Sequence, residues 1–430
     1  MRKEVVRSVR FSVIIPTRNR SKQLMLTLAS FERQTCPPDQ FEVVVVNDAS
    51  TDDTLAQLQH YRPPYRLTVV SLSQPVGRAV ARNIGVSASS EDILIFCDAD
   101  FLVFPDFIRV HEAYRIRHPD AVISGMPNLM RGAYTHFHAD FSEQEKAEAA
   151  RVLSQAGIWH DAWMHAPHTI DIVTPDDICR DTGRLAQVML PWNDEDPNWR
   201  EFRATDAAPW ILCVTRNLSL SREMFVRVGG FDGIFQKYGL EDWELGYRLH
   251  AHGYKFISMA EVTGVHQEHP AAVRGKEGNE ENLRFFFGKH GLRNPEISLF
   301  AVHSPEDGLP VYKNALRILQ HLRRSTSARH RSAERRFRHL CTRTAVRFVR
   351  DPQSPAYLRD KNRLQQAILA ANGVYAAPLP ARRKWRKIRR ILSRAVCDIR
   401  RADRKAAVRA RRRGGRRALR RLARRKKKAR

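Results

Sequence analysis

An α/β fold followed by a basic helical extension is predicted by three features of this 430-residue sequence. Apolar runs alternate with segments of helical periodicity over the first 130 residues. Those runs are continuous rather than alternating, as expected of strands buried on both faces of a helix-covered parallel sheet. Charge also divides the chain. Residues 301–430 hold 41 Lys+Arg against 7 Asp+Glu, whereas residues 1–300 hold 33 against 39. The formal net charge of +28 therefore belongs to the tail, and only the tail predicts anionic partners.

The elements follow in order. Phe11-Ser12-Val13-Ile14-Ile15-Pro16 is a buried strand stopped by proline. Residues 21–34 carry Leu24, Leu28 and Phe31 on one helical face, and 41–46 is a β-branched strand. A helix over 51–60, opened by Ser50 and Asp52, leads to a strand at 67–72. A short helix at 80–86 precedes a fourth strand, Ile93-Leu94-Ile95-Phe96-Cys97. From 134 to 206 the pattern weakens into loops and short helices, including the acidic stretch Trp192-Asn193-Asp194-Glu195-Asp196. Regular signals return at 211–220, then a helix at 222–228 followed by Gly229-Gly230. An amphipathic helix at 242–252 closes on Gly253, 255–265 is extended, and 279–290 is a helix closed by Gly291. The domains expected are 1–300, catalytic; 301–380, a helical extension; and 381–430, an Arg/Lys-rich amphipathic tail, partly disordered.

Composition, 43% hydrophobic and 28% charged, is that of a globular protein with ample core. The six cysteines have no metal or redox spacing, and free, mostly buried thiols favour a reducing compartment. The charged start and the lack of an apolar run of about 18 residues predict a cytoplasmic protein, or one on the inner membrane face.

Polar residues follow each predicted strand: Thr17-Arg18-Asn19-Arg20, Asn47-Asp48-Ala49-Ser50, Gly77-Arg78 with Ala81-Arg82-Asn83, and Asp98-Ala99-Asp100. In parallel sheets, ligands bind beyond the carboxyl ends of the strands, so these groups should converge. Two carboxylates after a core strand repel unless a cation joins them, and Mg²⁺ or Mn²⁺ accepts carboxylate and phosphate oxygens together. Asp98 and Asp100 are thus candidate ligands; the bland alternative is a cap at Asp100. Asp48 suits a base or ribose, or else caps the helix at 51. Arg82 suits a diphosphate. Glu241, Asp242 and Glu244 exceed what a helix N-terminus needs, and adjacent acids can divide acceptor binding from proton removal. His266 is the candidate third ligand, with His269 nearby.

These motifs together resemble family 2 glycosyltransferases of GT-A fold, a Rossmann-like mixed sheet flanked by helices. Residues 228–249, with Val228-Gly229-Gly230-Phe231-Asp232 and Gly239-Leu240-Glu241-Asp242-Trp243-Glu244, resemble the carboxy-terminal half of galactosyltransferase-like and chondroitin-polymerase-like enzymes. The resemblance covers residues 11–291 and implies a sugar transferred from a UDP-sugar, with inversion and a divalent metal, in glycan biosynthesis. Pro16, Thr17, Arg18, Asp48, Arg82 and Asp98 would hold the donor. Asp98, Asp100 and His266 would hold Mn²⁺ or Mg²⁺. Asp242 would be the base beside Glu241, and Gly229, Gly230 and Asp232 would line the acceptor side. The acceptor would be a glycan, a lipid-linked sugar or a peptide.

Two other classes compete. A nucleotidyltransferase would want glycines after the first strand, where Thr17-Arg18-Asn19-Arg20 has none. A nucleic-acid-binding protein would need a body without catalytic groups. The tail predicts peripheral attachment to an anionic membrane: Trp385, Ile388, Ile391, Leu392, Ala395, Val396 and Ile399 recur at helical spacing among Lys and Arg. Packing of this stripe on the catalytic body, with the Arg-rich end disordered, and binding of a polyanion are the alternatives.

Overall fold

A computed structural model of the chain describes residues 9–125, 132–191, 196–270 and 278–428, with the side chains of 278–279 and 409–428 left aside. The acidic stretch at 192–195 lies outside the described residues. The chain divides into two compact units, Met1–Phe286 and Phe287–Arg430.

The first unit is built on a seven-stranded sheet. Its strands are β1 (Phe11–Thr17), β2 (Phe41–Asn47), β3 (Arg66–Ser71), β4 (Ile93–Cys97), β6 (Ala121–Ser124), β10 (Asn217–Ser221) and β11 (Lys255–Ser258), in the order β11-β6-β10-β4-β1-β2-β3. β1, β2, β3 and β4 run parallel, as the sequence predicts. β10 lies antiparallel between β4 and β6, so the sheet is mixed. The signal at 211–220 is thus two pieces, a 3₁₀ turn Pro209–Leu212 and β10. β1 and β2 are buried almost throughout, each Val or Ile contributing about 1.5–3 kcal/mol. The helix Arg78–Ser87 lies close on β1 because Gly85 stands there; a Cβ would meet Ile14 Cγ2 at 2.5 Å.

A second, three-stranded sheet comprises β5 (Phe101–Val103), β7 (Gly132–Ala133) and β12 (Gly264–Gln267), with β12 central. A two-stranded ribbon joins β8 (His136–Phe137) to β9 (Ile170–Asp171). The weakly patterned region is more ordered than its sequence suggests. It contains the 13-residue helix Glu143–Gln155, started by a Ser142–Glu145 capping box. Phe137, Phe141, Leu153 and Val188 form a core there with Leu26, Leu102 and Val265.

In the second unit four helices follow one another: Leu309–Arg324, Ala328–Arg350, Pro355–Ala376 and Ala381–Lys428. The last packs against Ala328–Arg350 and Pro355–Ala376. Its apolar stripe is consumed in doing so. Ile388, Leu392, Ala395, Val396 and Ile399 are buried, and Trp385 stacks on His321 with ring centroids 3.5 Å apart. The stripe expected to enter lipid or to cover the catalytic body is instead covered by helices of its own unit, because apolar side chains at helical spacing bury against the nearest complementary faces. No described helix is long and apolar enough to cross a membrane.

Candidate active site

Strand register builds the site. Thr17 pairs with Asn47, and β4 ends beside β1, so the polar residues after β1, β2 and β4 share one sheet edge. Asn47 Oδ1 accepts from Ser50 N–H, and Asn19 Oδ1 accepts from Thr51 N–H, stitching the first two loops together. Asn19 and Ala49 hold φ of 54° and 52°, a left-handed backbone that costs non-glycine residues about 1–3 kcal/mol and is typical of functional loops. Beyond these ends lies a cleft lined by Pro16, Thr17, Arg18, Arg20, Asp48, Arg78, Ala81, Arg82, Asp98, Ala99, Asp100, Arg216, Tyr238 and His269. Five arginines face three carboxylates there, a balance suited to a diphosphate.

After Asp98-Ala99-Asp100 the chain enters β5, so Asp100 caps no helix. β12 runs antiparallel to β5 with His266 opposite Phe101, and Gln267 N–H donates to the Asp100 carbonyl at 2.8 Å. This pairing brings the carboxylate of Asp100 to His266 and His269, with ligand atoms of all three within 4.8 Å of one another. His269 Nε2 is 3.3 Å and His266 Nε2 3.8 Å from Asp100 Oδ2, and Arg20 approaches the same oxygen at 3.2 Å.

The donor set fits a divalent ion. Asp100 Oδ1 and His266 Nε2 are buried and have no hydrogen-bond partner. Each imidazole has its Nδ1 engaged elsewhere, His266 by Glu268 Oε1 at 3.2 Å and His269 by the Pro270 carbonyl at 3.2 Å. With an ion bound, an Nδ1–H tautomer in both rings would turn the two Nε2 lone pairs to it. Burial pushes the His266 imidazole down. Burial alone would raise the Asp100 carboxyl, but His269, His266 and Arg20 hold it well below the usual carboxylate range.

Asp98 is not one of these three. Its carboxylate faces Arg82 at 3.1 Å and Arg216 at 3.7 Å. Arg82 is almost fully buried and also donates to Glu241 at 3.0 Å, so it joins the first motifs to the helix Glu241–Ala251. Asp242, next along, is half-buried. Burial first, then Glu241 beside it, pushes its carboxyl up to about 7. That value suits proton removal near neutrality. Among the described residues, Asp242 is outside the wall of the cleft. Glu244 is structural: it pairs with Arg248, which donates to the carbonyls of Val228 and Gly230 and fixes the glycine turn. Asp232 Oδ1 accepts from Ile234 N–H within the same turn.

Asp48 accepts from Val76 N–H at 2.7 Å and Gly77 N–H at 3.0 Å, anchoring the loop that starts Arg78–Ser87. It caps no helix; Asp53 stands at that position for Thr54–His60. Thr17 Oγ1 is buried without a partner at the cleft, and Arg18 is exposed. Arg20 and Arg78 stand in the strand-end motifs expected to converge, though without an assigned role, whereas sequence reasoning gave Tyr238 and Arg216 no place in the site. Arg78 lies 4.5 Å over the Tyr238 ring. Arg216 carries no local signal, and only the pairing of Asn217 with Cys97 brings it to Asp98.

Residues 12–149 match the model for glycosyl transferase family 2, and residues 209–269 match that for the N-terminal domain of galactosyltransferase. Residues 12–149 of the first unit are thus a family 2 glycosyltransferase segment. Over 301 residues the chain is 27% identical to the uncharacterized glycosyltransferase YfnE of Bacillus subtilis, covering 67% of this chain and 72% of that one. It is 32% identical to validoxylamine A glucosyltransferase of Streptomyces hygroscopicus subsp. limoneus, covering 66% of this chain and 58% of the relative. Chondroitin synthase of Pasteurella multocida is 27% identical over 289 residues, 65% of this chain and 26% of that enzyme. The crystal structure of S. aureus TarS 1–349 in complex with UDP-GlcNAc aligns with 84% of this chain and 92% of its own, at 14% identity and a TM-score of 0.48. In this glycosyltransferase the two family segments meet at the Arg82 bridge between Asp98 and Glu241.

Proposed function

We propose that this glycosyltransferase moves a sugar from a UDP-sugar to an acceptor hydroxyl with inversion at the anomeric carbon. The observation that carries the reading is the buried trio of Asp100, His266 and His269 at one end of an arginine-lined cleft. Pro16, Thr17 and Asp48 receive the nucleoside. The Asp48 oxygens keep lone pairs beyond the two backbone amides they already accept, and these suit uracil or ribose donors. Arg20, Arg78 and Arg216 face the diphosphate. Mn²⁺ or Mg²⁺ held by Asp100, His266 and His269 would supply positive charge to the departing diphosphate. Asp242 takes the proton of the attacking hydroxyl, which approaches the face opposite the diphosphate. Arg82 neutralises Glu241 and holds it clear of that proton transfer.

The acceptor is a hydroxyl of a glycan, a lipid-linked sugar or a peptide. The test is Asp242→Asn, assayed with a panel of UDP-sugars and Mn²⁺. UDP binding should persist while transfer falls by about 10²–10⁴-fold; unchanged turnover would refute the assignment of the base. Anomeric configuration of the product by NMR tests inversion. Release of pyrophosphate from a nucleoside triphosphate and a sugar phosphate would favour the nucleotidyltransferase alternative.

A further inference from the structure

The second unit spends its few acids in a particular way. Asp360, fully buried, is clamped by Arg343, Arg347 and Arg359. The same three arginines share Asp403, and Glu334 pairs with Arg338. Those three acids are thereby paired with arginines of these helices, while further basic residues of the same helices are exposed. A groove between the helices Pro355–Ala376 and Ala381–Lys428 is where they collect. Arg363, Arg394, Arg401 and Lys405 line it, with Asp398 as its one carboxylate among the described residues. Its floor is built of alanines and Ile391. Arg363 is partly engaged, donating to the Asp398 carbonyl at 3.1 Å. Arg394, Arg401 and Lys405 are exposed.

From this groove we infer a binding site for a linear anionic glycan, the acceptor or product of the first unit. The inference rests on the glycosyltransferase reading for the identity of the ligand, not for the existence of the site. Arg394, Asp398, Arg401 and Lys405 follow at i, i+4, i+7 and i+11, so they share one helix face. At about 1.5 Å per residue, Arg394 and Arg401 stand roughly 10 Å apart and Arg401 and Lys405 roughly 6 Å apart along the axis. That spacing suits negative charge recurring every sugar unit or two. Arginine forks match carboxylate and sulfate geometry.

Two features separate a glycan from other polyanions. Among the described residues the wall has no aromatic side chain on which bases could stack, the usual device for single-stranded nucleic acid. Asp398, together with Gln366, gives acceptors for hydroxyl hydrogens, which a glycan carries on every sugar unit. A lipid surface is disfavoured because the apolar stripe of this helix is buried. Holding the polymer on the same chain as the catalytic unit raises its local concentration there.

The experiment measures binding to the full chain by fluorescence anisotropy, using labelled chondroitin sulfate oligosaccharides, labelled oligouridylate and neutral dextran, with flotation of phosphatidylglycerol vesicles in parallel. Arg394→Glu/Arg401→Glu is compared with Arg382→Glu/Arg383→Glu, an equal charge change outside the groove. The groove variant should weaken chondroitin sulfate binding at least tenfold and the control less than threefold, with dextran unbound throughout. Equal loss in both variants would show diffuse attraction and overturn the site. Tighter, groove-dependent binding of oligouridylate or vesicles would overturn the glycan assignment. Circular dichroism checks folding, and Arg401→Gln alone replaces the double variant if that fails to fold. Donor hydrolysis by the first unit is measured separately: its absence with groove-specific binding intact would count against the catalytic reading and leave the site standing.

Discussion

Replacing Asp242 with asparagine should stabilise the protein at alkaline pH while removing its chemistry. The carboxyl is pushed up from an ordinary 3.8 to about 7, by burial first and by Glu241 second. A carboxyl that holds its proton more tightly when folded is most favourable at low pH. Its contribution is lost as pH rises from the unfolded value near 3.8 through the folded value near 7. Each pH unit in that window removes about 1.4 kcal/mol, so ionising Asp242 costs at most about 4 kcal/mol above neutrality, and solvent at this half-buried position screens part of that. Asparagine carries no such charge. Thermal melts of both proteins from about pH 4 to about pH 9 should therefore coincide at the acid end and separate above neutrality. The variant should melt higher there by roughly 2–4 °C per kcal/mol gained. Parallel curves across the whole range would mean that Asp242 ionises without penalty and would remove the physical basis for its role as a base.

Arg82→Met leaves Asp98 and Glu241 without their shared cation and should cost about 3–5 kcal/mol in urea unfolding. Adding Glu241→Gln should recover part of that loss, and no recovery would mean the carboxylates do not couple through Arg82. Asp100→Asn and His269→Ala should each weaken Mn²⁺ binding by calorimetry at least about tenfold, and Glu268→Gln, acting through His266 Nδ1, by about 10–100-fold. Unchanged affinity in His269→Ala would exclude it from the ligand set. Gly85→Ala sets a Cβ 2.5 Å from Ile14 Cγ2 and 3.1 Å from Val46 Cγ2, and should cost about 1–3 kcal/mol. Ile14→Ala, which removes that methyl, should cost less in this background than in the parent protein in a denaturant melt.

The four parallel strands and the residues that follow them were legible in the sequence: the runs Phe11–Thr17, Phe41–Asn47 and Ile93–Cys97 carry their burial in composition, and Arg66–Ser71, partly exposed at the sheet edge, carries a β-branched run. The acids at the start of Glu241–Ala251 were equally plain, since a helix N-terminus and its first turn are local features. The antiparallel strand Asn217–Ser221 was not, as no short run announces which neighbour it will pair with or in which direction. The tail stripe announced an amphipathic helix but not its cover. Lipid and a helix bundle bury the same side chains, and only the packing of Ala381–Lys428 on its neighbours decides between them.

The sequence by itself therefore determined the strand ends, the carboxylates available to a cation and the separation of acidic body from basic tail. Tertiary structure decided the groupings: His269 beside Asp100, Asp98 turned toward Arg82 and Arg216, and Arg82 reaching Glu241 across 159 positions of chain. The reason is physical. Burial and backbone preference act over a few residues and leave a pattern in the chain, whereas a ligand set or an ion pair is fixed by register between strands, and a register of β12 on β5 shifted by one residue would turn His266 to the other face of its sheet.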